Sequence, residues 1–186
     1  MSVQISTKKF TVYDFHRMGE AGILSEDDRV ELLEGEIIEM TPIGSRHAAC
    51  VARLDRLLNA HVEDSAIVWV QNPIQLNDQS EPQPDIALVK PRADFYEKAH
   101  PRPEEILLLI EVADTSIDLD RNTKLPLYAQ AEIPEVWIVD LRQLRMEMYR
   151  QPSAQGYSSI THLNHLEQAT PQAFENLKIP LQKIFG

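Results

Sequence analysis

Residues 107–128 read LLLIEVADTSIDLDRNTKLPLY. With Ile106 in front, the stretch opens as a short continuous apolar run, the pattern of a strand buried on both faces. An ionisable group, Glu111, follows directly, and the strand is expected to span Ile106 to Val112. Ser116 to Asn122 is rich in capping and turn residues, so a helix is expected to begin there or shortly after and to end near Pro134. Pro126 narrows the choice. Inside a helix, proline removes a hydrogen bond and crowds the preceding turn at a cost of roughly 3 kcal/mol, whereas the first turn tolerates it. The helix is therefore expected to start near Asn122 to Leu125. Lys124 would then lie at its N-terminal end, where anions are favoured, with Tyr128 on the same face.

Working outward, EVWIVDL (Glu135 to Leu141) reads as a further buried strand, and LRMEMYR (Leu144 to Arg150) alternates like its half-exposed partner. Upstream, Ile67 to Leu76 and Asp85 to Val89 read as strands, separated by the loop NDQSEPQP. SRHAACVARLDRLLNAHV, from Ser45, carries Cys50, Val51, Leu54, Leu57, Leu58 and Val62 at helical spacing. His47 falls near the edge of that apolar face. RVELLEGEIIEMT (Arg29 to Thr41) reads as a hairpin turning at Glu34-Gly35. A short helix is expected at Val12 to Gly19. Residues 157–186 give a weaker signal, with one strand and a terminal segment at Ile179 to Phe185. Strands flanked by helices in this order indicate an α/β (α+β) domain, a mixed sheet covered on both faces. The expected organisation is a single domain over 1–186, with 1–28 as a lead-in and 151–186 as a C-terminal extension.

The chain has 186 residues, ample for one core, and 29 acidic against 18 basic residues give a net charge of -11. That balance opposes casual nucleic-acid binding, which is driven by phosphate neutralisation. A metal held by acidic ligands reverses the local field. One cysteine, Cys50, excludes an internal disulfide framework. The sequence has no apolar stretch near the roughly 18 residues of a membrane span and no signal-peptide core. A cytoplasmic protein without membrane contact is expected.

Three acidic positions stand out: Asp85 at the start of a strand behind Pro84, Glu111 at the end of a buried one, and Glu31 or Glu36 on the hairpin. Carboxylates at neighbouring strand ends can converge, and hard divalent ions take such oxygen ligands together with water and substrate phosphate. An amine nearby orients water or offsets phosphate charge. Each residue also has an ordinary role: a solvated edge for the carboxylates, a surface position for Lys124, a hydrogen-bonded core position for His47, core packing for Tyr128 and Cys50.

The ordered set Arg29-Val30-Glu31-Leu32-Leu33-Glu34-Gly35-Glu36-Ile37-Ile38, Arg46-His47, Pro84-Asp85, Ile110-Glu111-Val112, Asp120 to Lys124, Tyr128, and Pro134 to Asp140 resembles the Uma-two group, assigned as restriction-type endonucleases within the PD-(D/E)XK nuclease superfamily. The resemblance runs from about Val12 to Arg150. It implies a restriction-endonuclease-like fold with an N-terminal hairpin addition, and a metal, Mg²⁺ or Mn²⁺, between Asp85 and Glu111. It implies Lys124 as the catalytic amine, because Ala113 stands where the superfamily usually has its lysine, and Glu31 as an accessory acid, with Glu36 as second choice. His47 and Tyr128 are the expected substrate-binding residues.

The expected activity is metal-dependent hydrolysis of DNA phosphodiester bonds by a homo-oligomer, most simply a dimer. The competing expectation is a non-catalytic nucleic-acid- or protein-binding regulatory module on the same fold. Glycoside hydrolysis by a carboxylate pair ranks last, because the chain has little aromatic surface for a sugar cleft.

Overall fold

The computed structural model describes residues 7–25 and 27–186. The first six residues of the lead-in and Glu26 lie outside that range. The described residues form ten strands, β1 (Val30–Leu33), β2 (Glu36–Glu39), β3 (Ile67–Val70), β4 (Ile86–Val89), β5 (Ile106–Ala113), β6 (Glu135–Asp140), β7 (Arg145–Ser153), β8 (Gly156–Asn164), β9 (Gln168–Ala169) and β10 (Ile179–Pro180), with helices between some of them. Six of them form the central sheet in the order β3-β4-β5-β6-β7-β8. Every pairing in it is antiparallel except β5 with β6. A parallel pair needs a crossover, and the helical segment 117–130 supplies it.

Both faces of the sheet are covered, and the side chains alternate accordingly. Ile86, Leu88, Leu108, Ile110, Val112, Trp137 and Val139 pack on α2 (Ser45–Val62) through Cys50, Val51, Leu54, Leu58 and Val62. Ala87, Val89, Leu109, Ala113, Val136 and Ile138 point the other way, onto Leu127, Tyr128 and Ile133. The C-terminal residues Leu177, Ile179, Leu181 and Ile184 complete the α2 side, so the extension shares the central core. Burial raises the Cys50 thiol to about 12, as fits a packing residue.

The hairpin β1–β2 turns on two residues with positive φ, Glu34 at 50° and Gly35 at 75°. That is the backbone of a two-residue turn matched to strand twist. A Cβ at Gly35 would lie 2.7 Å from the Lys9 Cβ and 2.9 Å from the Phe10 carbonyl oxygen. The turn is tied down by Phe10 N–H donating to Gly35 O at 2.9 Å and Gly35 N–H donating to Gln79 O at 2.7 Å.

Several boundaries differ from expectation, two of them near the cleft described below. The strand expected over Ile67 to Leu76 stops at Val70, because Gln71 takes a φ of 48° and Pro73 has no amide to give a ladder. Ile74 and Leu76 still serve the core, from a loop. The helix expected to start near Asn122 to Leu125 starts earlier: α3 (Ile117–Leu119) runs through a π turn (Asp120–Lys124) into α4 (Leu125–Gln130), with helical backbone at each junction. In the π turn Leu125 N–H donates to Asp120 O, five residues back. This widening, immediately before Pro126, lets a helix carry a residue that lacks an N–H and crowds the carbonyl four residues back. Lys124 therefore sits inside a continuous helical stretch, not at a helix N-terminus.

Candidate active site

A cleft of about 170 Å³ opens where the hairpin, α2, the ends of β4 and β5 and the π turn meet; Glu31, His47, Asp85, Glu111, Asp120 and Lys124 line it. The register of β4 on β5 pairs Ile86 with Ile110, so one step further along Asp85 stands across from Glu111. Residues so placed on adjacent strands project to the same side.

Glu111, Asp120 and Lys124 are almost fully buried, as is Glu31. The Lys124 amine lies 3.0 Å from Glu31 Oε2 and 3.4 Å from Glu111 Oε1. Burial works against its charge, but Glu111 and Glu31 outweigh that, and the amine is held above its ordinary value. Tyr128 OH donates to Glu111 Oε1 at 2.6 Å, and Gln83 N–H donates to Glu31 Oε2 at 3.0 Å. Lys124 and Tyr128, four residues apart on one helical face, thus hold the same carboxylate.

Asp85 is held differently. His47 Nε2 lies 3.0 Å from it, Val112 N–H donates to Oδ2 at 2.8 Å, and Gln71 Nε2 donates to Oδ1 at 3.1 Å. The hydrogen bond to Asp85 raises the His47 pKa. Ser116 Oγ donates to Asp120 Oδ2 at 2.7 Å.

The site holds more negative charge than it can neutralise. Of the residues that line it, Glu31, Asp85, Glu111, Asp114 and Asp120 are acidic, against Lys124, His47 and Arg29. Glu111 is pushed well above its ordinary value, chiefly by burial. Asp120 is pushed up to about 6, again chiefly by burial. An all-oxygen donor set with surplus buried anion suits a hard divalent cation. Asp85 retains room for one: a carboxylate offers about four lone-pair sites, and three donor groups reach it. In the arrangement seen, no three of these carboxylates and His47 bring ligand atoms within 4.8 Å of one another.

Glu31, His47, Asp85, Glu111 and Lys124 all line the cleft. Glu36 stays outside and pairs with Lys9 on the surface at 2.6 Å. Tyr128 was expected to touch substrate. It is 0% exposed and sits behind Glu111, so it can position the carboxylate but not contact a ligand. Asp120 was not among the expected site residues. Its spacing of four from Lys124 on a helix was the available signal.

Over residues 12–182 the sequence matches the family described as "Putative restriction endonuclease", Uma2. The chain belongs to the Uma2 family. The fold of this Uma2 chain is also that of a crystal structure from Anabaena variabilis, of a "putative nuclease belonging to DUF820", at a TM-score of 0.72 and 16% identity, covering 95% of this chain and 97% of that one. A type IIG restriction endonuclease, BpuSI, overlaps at a TM-score of 0.39 and 15% identity, over 63% of this chain and 14% of its own. No curated protein matches the sequence. Among the described residues, no helix is long and apolar enough to cross a membrane.

Proposed function

We propose that this Uma2 chain is a divalent-metal-dependent endonuclease that hydrolyses DNA phosphodiester bonds. The observation that carries the reading is the buried Lys124 amine, shared by Glu31 and Glu111 on the wall of a cleft whose other wall is Asp85 and His47. Asp85 and Glu111 would hold Mg²⁺ or Mn²⁺, which when bound supplies Lewis-acid charge for the phosphoryl group and a more acidic water. Lys124 orients the attacking water or meets the charge developing on a non-bridging phosphate oxygen. Glu31 fixes the amine in place. His47 and Val112 N–H fix the Asp85 carboxylate, and Tyr128 fixes that of Glu111, so the ligands are set by strand and helix backbone with little freedom. A homodimer accounts for cutting two strands with two such sites.

The net charge of -11 sets a condition on substrate binding. DNA is repelled by the protein as a whole and accepted only where a cation fills the cleft. Binding is accordingly expected to be weak in EDTA and tighter with Ca²⁺. The deciding experiment is nicking of supercoiled plasmid by wild type and Glu111→Gln with Mg²⁺ or Mn²⁺. Cleavage by wild type alone is the expected result; equal rates for both proteins would remove Glu111 from the mechanism.

One observation favours a second reading. Three donors already reach Asp85, as in a structural carboxylate. On that reading the chain is a non-catalytic nucleic-acid- or protein-binding regulatory module, and wild type cuts no DNA with any divalent metal.

A further inference from the structure

Away from the cleft, three side chains from separate segments meet: His16 on α1 (Val12–Glu20), Glu81 in the turn between β3 and β4, and His100 in the loop between β4 and β5. Among the described residues they are the one group of three His, Cys, Asp or Glu side chains whose ligand atoms all lie within 4.8 Å of one another. His16 Nε2 is 2.8 Å from Glu81 Oε1, and the two imidazole rings stand edge to face with centroids 6.1 Å apart.

The decisive member is Glu81. It is 3% exposed, and its second oxygen, Oε2, is buried with no hydrogen-bond partner. A buried carboxylate with one oxygen unsatisfied costs stability unless a cation or donor meets it. The neighbouring fold holds it there. Glu81 N–H donates to Leu32 O at 2.7 Å, which pins it to β1, and the capping box of Thr11 and Asp14 starts α1 in register to present His16. His16 and His100 also line an open cleft of about 680 Å³.

From these contacts we infer that His16, Glu81 and His100 form a second metal site, distinct from the carboxylate cleft, for a borderline transition-metal dication, Zn²⁺ foremost. Two imidazoles and a carboxylate are a zinc donor set, whereas the all-oxygen cleft suits Mg²⁺. Bonds of about 2.0–2.1 Å in a tetrahedral site place ligand atoms about 3.3 Å apart. The hydrogen-bonded pair at 2.8 Å need open only slightly, and the third ligand moves in from a separation of at most 4.8 Å. The fourth position is left to water from the open cleft. The ion would join α1 to both loops and, through the Glu81–Leu32 bridge, steady the strand that carries Glu31.

The test uses the untagged, chelator-stripped chain titrated with Zn²⁺ against a chromophoric chelator. Wild type and the double variant Asp85→Asn/Glu111→Gln are both expected to bind one equivalent at this site. His16→Gln and His100→Gln are each expected to weaken it by roughly 100-fold or more, since even partners outside the ligand shell are worth ~10–100-fold. Equal Zn²⁺ affinity in wild type and both histidine variants overturns the assignment, as does loss of binding in the carboxylate double variant or no saturable binding by wild type. Should a histidine variant fail to fold, X-ray absorption of Zn²⁺-loaded wild type decides. Two imidazole nitrogens support the site, and an oxygen-only shell overturns it.

Discussion

The Lys124 amine stands 3.0 Å from Glu31 Oε2 with both side chains about 95% buried or more, and Glu111 closes the group at 3.4 Å. One cation therefore offsets two buried carboxylates. Removing one partner of a buried ion pair is far costlier than removing a surface charge, about 3–5 kcal/mol. Lys124→Met is expected to lower unfolding free energy on that scale in urea titrations. It should also slow cleavage at least ~100-fold, the scale for losing one preorganised electrostatic group. Lys124→Met/Glu31→Gln is expected to regain part of the stability and none of the rate. A double variant with restored cleavage would show that Lys124 serves only the fold.

Metal binding is expected to appear as stability. A cation that binds the folded chain alone stabilises it by about 2.7 kcal/mol at 100 times its dissociation constant. Mg²⁺ or Mn²⁺ should therefore raise the midpoint of thermal unfolding of wild type. Glu111→Gln keeps the shape, removes a ligand charge, and is expected to lose that rise. An equal rise in both proteins, read by scanning calorimetry, would exclude Glu111 as a ligand.

Asp120 gives the cleft a pH signature. Its carboxyl is raised from an ordinary 3.8 to about 6, chiefly by burial. Between those values the folded chain holds a proton that the unfolded chain has released. Stability at this residue therefore falls as pH rises through that window. Glu111, raised by burial in the same direction, adds to the fall. Without divalent metal, Asp120→Asn is expected to flatten the slope of stability against pH between about 4 and 6. An unchanged slope would mean that Asp120 is solvated.

Arg121, beside Asp120 on the π turn, points to the sheet. Its Nε and Nη2 donate to Glu147 Oε2 and Oε1 at 2.9 and 2.6 Å, and Tyr149 OH joins at 2.7 Å. Burial opposes the Glu147 charge, but Arg121, Tyr149 and Arg145 prevail and hold its carboxyl below the ordinary range. Arg121→Met is expected to cost about 1.5–3 kcal/mol, as for hydrogen bonds to charged groups. It should loosen the turn that presents Lys124, lowering cleavage less than Lys124→Met does. Denaturant midpoints and plasmid nicking rates measure the two effects.

Much of this architecture is local and was legible in the chain. The apolar run Ile106 to Ile110, the helical spacing of Cys50, Val51, Leu54, Leu58 and Val62, and the Glu34-Gly35 turn each fix an element through its own periodicity or φ requirement. Their order settles a mixed sheet covered on both faces. Pro126 shows where local reasoning stopped. Proline chemistry alone argues for a helix start beside it, yet packing of Leu127 and Tyr128 on the sheet and the Arg121–Glu147 pair favour a longer helix, and the backbone accommodates Pro126 through a π turn.

The sequence by itself singled out candidates for charge chemistry, Glu31, Asp85, Glu111, Lys124 and His47, and located the hairpin, strands and first long helix that carry all of them but Lys124. Only the tertiary structure decided their partners. Lys124 reaches Glu31 because the hairpin folds back over the π turn. His47 reaches Asp85 because α2 crosses the end of β4. His16, Glu81 and His100 meet because α1 and two loops converge. Periodicity reports which face of an element is buried. A charged side chain's partner is set by how distant elements pack, where burial makes each unpaired carboxylate costly enough to select its contact.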